Sequence, residues 1–403
     1  MNNKNETKIG REKAMKKIKR VVALVLAAVM IMAMLAACGG GNGGASGSGA
    51  SGGGKSDKLQ IGIMHFTWTS REAQAILDYC NNYLGPAYNM EFTTFTCGFD
   101  NNSVIEAVEN MITAGMDGLI LLVSSGIIEV DKICAEAGVP FALITGKPTM
   151  AEEEILATTA SDEFVCCVQP GSDPYEGGRG MARAMLERGY TRCAVISTPT
   201  GMIEAGDQED EGFMTEFVAG GGTIVDEKRE IPGDAMITAA DTVLATHGDE
   251  IDFLYGLLDI LQSIVTDPKY ADKGVKIVSN ELPSDGGVAL FESGILAFAH
   301  DKIPQAVGFA VVGILNYLDG NQYADAPQYR SVEAKYTDIN NAEECQLYLD
   351  ISGGTDEYPP AWTIEELDTL ILSKNPNATY ADLCALAGST QIDQICERHG
   401  IAR

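Results

Sequence analysis

Residues whose types could do chemistry are sparse in this 403-residue sequence, and the best of them stand where apolar runs end. Residues 59–64 form such a run, and His65, Phe66, Thr67 and Trp68 follow it directly. An aromatic ring in that position can stack on a ring-shaped ligand while a neighbouring hydroxyl hydrogen-bonds to it; a Trp turned inward to fill a core is the alternative that the sequence leaves open. Ser124 and Ser125 end another run, and Thr145, Gly146 and Lys147 end the next, offering hydroxyls and one cation. This is the chemistry of binding. Catalysis finds no support: His65, His247, His300 and His399 are isolated, and no HExxH or CxxC supplies metal-ligand spacing. Residues 207–212 open like a calcium loop, but the twelfth position is Val218, where a bidentate carboxylate is required. No cofactor, no metal and no enzymatic activity are expected.

The elements that must position these residues are clearest between 99 and 146. Val104, Ala107, Val108, Met111 and Ile112 recur at helical spacing, and Ser103 with Glu106 has the pattern of a capping box. Gly115 closes that helix. Residues 119–123 are then continuously apolar, as a strand covered on both faces of a parallel sheet must be. A second amphipathic helix runs through Ile128, Ile133 and Ala137, stops at Gly138, and leads through Pro140 into the strand 141–144. The same alternation extends in both directions. Strands are predicted at 59–64 and 90–96, with a helix opened by Thr69 and Glu72 between them, and a second series of strands begins at 164, 193, 223, 253 and 275. Two doubly wound α/β lobes follow.

Charge and the N-terminus bound the setting. The formal net charge is −29, although the first 37 residues hold 8 of the 28 Lys/Arg and only 2 of the 57 Asp/Glu. An acidic body argues against nucleic acid, whose phosphates reward clustered positive charge. Lys13, Lys16, Lys17, Lys19 and Arg20 precede the apolar stretch 21–34, which leads to Leu35, Ala36, Ala37, Cys38 and Gly39. This resembles a bacterial lipoprotein signal peptide with its lipobox, and implies that residues 1–37 are removed and that Cys38 carries the lipid that binds the membrane. Residues 38–58 are a Gly/Ser tether spanning roughly 25 Å on average. Matches to phosphate-loop and nucleophile-elbow patterns inside the tether have no strand before them and carry no chemistry. The nine cysteines after Cys38 are scattered, and a bridge such as Cys384 to Cys396 is left open by the sequence.

From 59 to 337 the order of elements resembles the ribose-type periplasmic binding proteins of sugar ABC transporters. The resemblance is carried by residues 104–112 through 118–120, by 135–140, by Ser172, Asp173, Pro174, Tyr175, Glu176, Gly177 and Gly178 at the start of the second lobe's first helix, by Gly212 and Phe213, and by 293–297 and 304–308. It implies a type 1 fold with three hinge crossings, expected near Ser161, Lys302 and Arg330, and a last strand at 329–336. The N-terminal lobe is then 59–161 plus 303–330, the C-terminal lobe 162–302 plus 331–340, and 341–403 a helical extension packed on one lobe, with a capping box at Thr363 and Glu366. Ligand would lie between the lobes, outside the carboxyl ends of the strands.

The sequence departs from the family where sugars are gripped. Thr145 and Gly146 stand where the family has Asp-Arg, Glu209 where it has Arg, Leu258 and Asp259 where it has Asn-Asp, Glu281 where it has Asp, and Asp301 or Lys302 where it has Gln. The expected ligand-binding set is therefore Phe66, Thr67, Trp68, Ser124, Thr145, Lys147, Asp173, Glu209, Asp259, Glu281 and Asp301. Its carboxylates would accept hydrogen bonds from hydroxyls or pair with a cation, unless they face water. The resemblance implies a monomeric, lipid-anchored solute-binding protein that passes a small polar ligand, a sugar or sugar derivative, to an ABC permease. A Gram-positive surface suits the Gly-rich tether better than a periplasm. The alternatives are a receptor subunit for a membrane histidine kinase and a binder of a cationic or nucleoside-like solute. A regulator of the lactose-repressor type shares the fold but needs a DNA-binding domain where the lipobox and tether stand.

Overall fold

A computed structural model describes residues 57–98, 100–144, 147–202, 204–256, 258–279, 281–282, 286–353 and 358–402, with the side chains of 204, 258–260 and 271 outside the description. Residues 56–403 form one compact unit. Cys38, the expected lipidation site, lies outside the described residues, as does Thr145; Asp259 is described only as part of a helix backbone.

Two six-stranded sheets organise the unit. The first has the order β11-β5-β4-β3-β1-β2, with β1 at Leu59–His65, β2 at Met90–Thr96, β3 at Gly118–Leu121, β4 at Phe141–Ile144, β5 at Phe164–Pro170 and β11 at Ser331–Ala334. Every pairing in it is parallel. The strands β3, β4 and β5 are buried along their whole lengths, which is why they read as unbroken apolar runs. The second sheet has the order β12-β10-β9-β8-β6-β7, with β6 at Arg192–Ser197, β7 at Thr223–Arg229, β8 at Phe253–Gly256, β9 at Lys276–Ser279, β10 at Leu296–Asp301 and β12 at Thr337–Ile339. Only β12 runs antiparallel to its neighbour, β10.

Two of the expected crossings shift. Residues Phe164–Pro170 pair with β4 in the first sheet, so the chain first leaves that lobe after Pro170 and not near Ser161. An apolar run announces a covered strand but not which sheet covers it. The expected last strand at 329–336 divides: β11 pairs with β5, Lys335 and Tyr336 cross over, and β12 joins the second sheet. Between these, the chain returns to the first lobe after Asp301, where helix Val307–Leu318 packs on β4 and β5. The helix expected to be capped by Ser103 is capped instead by Asp100, whose carboxylate accepts the Asn102 and Ser103 N–H groups at 3.1 Å each. The calcium-like stretch 207–212 lies within helix Glu204–Ala219.

The C-terminal extension is not packed on one lobe alone. Its helices Ala342–Gly353, Ile364–Asp368, Tyr380–Ala387 and Ile392–His399 follow β12. Trp362 is fully buried against Phe309 of the first lobe, while helix Ala342–Gly353 packs on Gly287–Glu292 of the second. All nine described cysteines are free thiols, Cys384 and Cys396 included. Burial pushes that of Cys345 up to about 11. No helix among the described residues is long and apolar enough to cross a membrane.

Candidate functional site

A cavity of about 330 Å³ opens between the lobes at the carboxyl ends of the strands. Phe66, just past β1, lines it from the first lobe; Ser197 and Thr198 after β6, Tyr255 on β8 and Glu281 after β9 line it from the second. Lys302 and Tyr336, each at a crossing, complete the wall and also line an adjoining cavity of about 220 Å³ that reaches Lys147, Gln169, Ser172 and Asp173. This placement follows from the sheets: strands of both lobes point their carboxyl ends toward one crevice.

The polar groups of the crevice are mainly acidic. Glu209 is 3 % exposed, and its Oε1 lies within hydrogen-bonding distance of His300 Nε2, at 2.9 Å. The His300 ring stacks flat on Tyr336, with centroids 3.9 Å apart. Asp210, 4 % exposed, accepts from the Ser197 hydroxyl and, at 3.1 Å, from Arg229. Burial raises its carboxyl above the usual range despite both donors. Glu281, although exposed at the cavity mouth, is also raised, by loss of water in the crevice and by the fields of Asp301 and Glu72, with Lys302 pulling the other way. Burial would depress the Lys302 ammonium, but the fields of Glu72, Tyr336, Glu281 and Glu209 outweigh it and hold the group well above its ordinary value. Glu72 Oε1 is buried without a hydrogen-bond partner. Such a wall can accept hydrogen bonds from several hydroxyls, donate one from Lys302 and, through the exposed Phe66, offer an aromatic face to a ring.

Glu209 and Asp210 are held in place by a close backbone crossing. Helix Pro174–Glu187 and helix Glu204–Ala219 meet through two glycines: a Cβ on Gly178 would fall 1.9 Å from the Glu209 carbonyl oxygen, and one on Gly212 would fall 2.0 Å from that of Tyr175. Both obstacles are backbone, so the helices must separate to admit a methyl group. Gly178→Ala is expected to cost about 1–3 kcal/mol in urea unfolding. It should also weaken ligand binding by displacing the two carboxylates, although residue 178 lines neither cavity.

No family model and no curated protein matches the sequence. Solved structures do. A periplasmic solute-binding protein of an ABC transporter from Actinobacillus succinogenes, with bound D-allose, superposes with a TM-score of 0.60 at 16% identity, covering 72% of this chain and 100% of its own. The arabinose-transporter binding protein from Shewanella sp. ANA-3 gives 0.57 at 16% identity over 72% and 95%. A solute-binding protein from Bacillus halodurans with bound myo-inositol gives 0.56 at 15% over 73% and 100%. The fold is that of the type 1 periplasmic binding proteins. These neighbours are binding proteins, and two of them are matched over their whole length while about a quarter of this chain is left over.

Within the periplasmic-binding-protein fold, the residues expected from sequence separate into three groups. Phe66, 39 % exposed, Glu209 and Glu281 line the larger cavity, and Lys147 and Asp173 the smaller. Lys147 is also 3.7 Å from Glu153, and Asp173 caps its helix by accepting the Glu176 N–H at 3.1 Å. Thr67, Trp68, Ser124 and Asp301 line neither cavity. The Thr67 hydroxyl bonds to that of Thr69, and the Trp68 indole packs on the core and donates to the Phe95 carbonyl at 3.3 Å. Ser124 donates to the Lys147 carbonyl at 2.9 Å. Asp301, 3 % exposed, is taken by Arg71 and by the N–H groups of Lys302 and Leu282. Thr145 and the Asp259 side chain are outside the described residues.

Sequence reasoning missed Tyr255, Tyr336, Asp210 and His300. Asp210 had a signal, since it follows Glu209 in a helix whose Gly212 marks a close crossing. Tyr336 had none, because its role depends on the strand dividing where it stands. From sequence Lys302 is only an equal alternative to Asp301; in the structure Arg71 pairs with Asp301, and Lys302 lines the crevice.

Proposed function

We propose that the chain is an extracytoplasmic solute-binding lipoprotein of an ABC importer, held to the membrane through Cys38, monomeric and without enzymatic activity, which captures a sugar or sugar derivative between its lobes. The observation that carries this reading is the cavity shared by both lobes, lined by the exposed ring of Phe66, by Tyr255 and Tyr336, and by Glu209, Asp210, Glu281 and Lys302, which offer acceptors and a donor. The solved neighbours support it, since D-allose and myo-inositol, polyols with a ring, are bound by proteins of this fold. The proposed contact set is Phe66, Glu209, Asp210, Tyr255, Glu281, Lys302 and Tyr336, with Lys147, Gln169 and Asp173 at the edge.

A second reading has an observation of its own. Among the described residues that line the cavity, Glu209, Asp210 and Glu281 stand with one Lys or Arg, Lys302, so a ligand carrying an amine would complete the charge balance better than a neutral sugar does. Thermal unfolding of residues 56–403 against D-allose, L-arabinose and myo-inositol, and separately against amino sugars and nucleosides, decides between the two. A ligand at a hundredfold excess over its Kd should add about 2.7 kcal/mol of stability. Phe66→Ala should weaken the effective ligand about three- to tenfold through lost stacking. A response to amines alone would replace the neutral sugar by a cationic one, and no response to any of them would sink the proposal.

A further inference from the structure

The extension returns over the crossings between the lobes. Helix Tyr380–Ala387 lies along β11 of the first sheet, and the Tyr380 hydroxyl donates to the Ser331 carbonyl at 2.7 Å. Just beyond that helix the Thr390 carbonyl accepts from the hydroxyl of Thr337, on β12 of the second sheet, at 2.8 Å. The Gln391 amide brackets the same place: its Nε2 donates to the Tyr336 carbonyl at 2.7 Å, and its Oε1 accepts the Asp338 N–H at 3.3 Å. One stretch, 380–391, is therefore bonded to the last strand of each sheet and to the residue that crosses between them. Thr337 and Thr390 are both fully buried, so water cannot replace the bond between them.

The second crossing is held in the same way. The Tyr348 hydroxyl donates to the Lys302 carbonyl at 2.6 Å, and Gln305 donates to the Ile351 carbonyl at 3.0 Å. The extension is itself anchored in both lobes. In the first lobe the buried Asn316 amide donates to the Leu370 carbonyl at 3.2 Å and accepts the Leu372 N–H at 2.7 Å. In the second lobe, helix Ala342–Gly353 packs on Gly287–Glu292.

Hinge motion in a two-lobed protein is absorbed by backbone rotation in a few crossing residues. Here two of those residues, Lys302 and Tyr336, have their carbonyls held by the extension while their side chains line the crevice. We propose that residues 341–353 and 358–402 act as a splint across the second and third crossings, limiting how far the lobes part and so keeping the cleft preorganised for its ligand. The lobes are already in contact next to these crossings, where Arg71 of the first pairs with Asp301 of the second. A splinted cleft gives up less free energy to closure when ligand arrives, and binds more tightly for that reason. The effect on ligand rests on the proposed solute-binding function; the limit on opening does not.

The test begins without ligand. Small-angle scattering and amide hydrogen exchange would be measured on residues 56–403 as wild type, Thr337→Val/Gln391→Ala and Thr337→Ser; neither substituted residue lines the cleft. The double variant is expected to have a larger radius of gyration and faster exchange at 335–338, and Thr337→Ser, which keeps the hydroxyl, is expected to match wild type. Equal radii and exchange in all three would overturn the splint. Should the double variant lose its cooperative unfolding transition, Gln391→Ala alone, at a part-exposed position, carries the same comparison. Calorimetry with D-allose, myo-inositol and glucosamine then reads the coupling, with affinity expected to fall about fivefold in the opened variant. Unchanged affinity in a measurably wider variant would overturn the coupling, whereas failure of all three probes to bind wild type would count against the ligand reading and leave the scattering result to judge the splint.

Discussion

Replacing Arg71 by methionine is expected to destabilise the fold by about 3–5 kcal/mol at neutral pH, the cost of leaving a buried carboxylate without its counter-ion. Asp301 is 3 % exposed, and Arg71 pairs with it from the other lobe. Two backbone N–H groups, from Lys302 and Leu282, would remain, and they satisfy lone pairs without supplying a full charge. Methionine keeps most of the aliphatic volume, so the loss isolates the charge. The pH dependence has a definite sign. Burial raises the Asp301 carboxyl above its ordinary value, Arg71 opposes that rise, and removing Arg71 lifts the carboxyl further. A carboxyl raised in the folded state holds its proton after the unfolded chain has released one, so stability falls as pH climbs from the unfolded value through the folded one. Glu281 is raised by loss of water in the crevice and lowered by Arg71, so it moves in the same direction. The deficit of the variant in urea unfolding should therefore be largest near pH 7.5 and shrink toward pH 4.5. A deficit independent of pH would mean that Arg71 acts through packing and not through charge.

The same pair explains where the sequence could be read and where it could not. Strands β2 and β4 coincide with the ranges expected from apolar patterning, and the glycine that closes helix Ile127–Ala137 has the left-handed conformation its position requires, with φ 69° at Gly138. Local signals of this kind depend on neighbours in the chain. The division of β11 from β12 does not, because it is decided by pairing with β5 and β10, strands far away in sequence. At the site, Phe66 was legible because it directly follows a strand whose carboxyl end must face the crevice. Trp68, two residues on, was not separable from it by sequence, since its inward turn depends on the Phe95 carbonyl. Asp301 and Lys302 were indistinguishable for the same reason: their roles are assigned by Arg71, 230 positions earlier in the chain. Glu209 and Glu281 both line the crevice, because each follows or packs beside the carboxyl end of a strand of the second sheet.

Trp362→Ala is expected to lower stability by about 3–5 kcal/mol, and to do so for the first lobe as well as for the extension. The indole is fully buried, stands edge-on to Phe309 with centroids 4.9 Å apart, and donates to the Leu386 carbonyl at 3.0 Å. Its own carbonyl accepts the Tyr79 hydroxyl at 2.8 Å, and Tyr79 and Phe309 belong to the same apolar core as β1 and β4. Truncation would open a cavity beside that core and remove one of the donors to the Leu386 carbonyl, which keeps the Ser389 hydroxyl at 2.6 Å. The chain has 2 Trp, so the variant retains Trp68 alone, and Trp68 lies in the first lobe. Its fluorescence then reports on the lobe, not on the extension. If the extension is part of the lobe's core, the urea midpoint read from Trp68 falls with the rest of the molecule in one transition. If it were a detachable appendage, far-ultraviolet dichroism would show an early loss of helix while the Trp68 midpoint stayed at the wild-type value. The shared core around Phe309 and Tyr79 predicts the first result, and with it a chain whose lobes and C-terminal helices fold as a single unit.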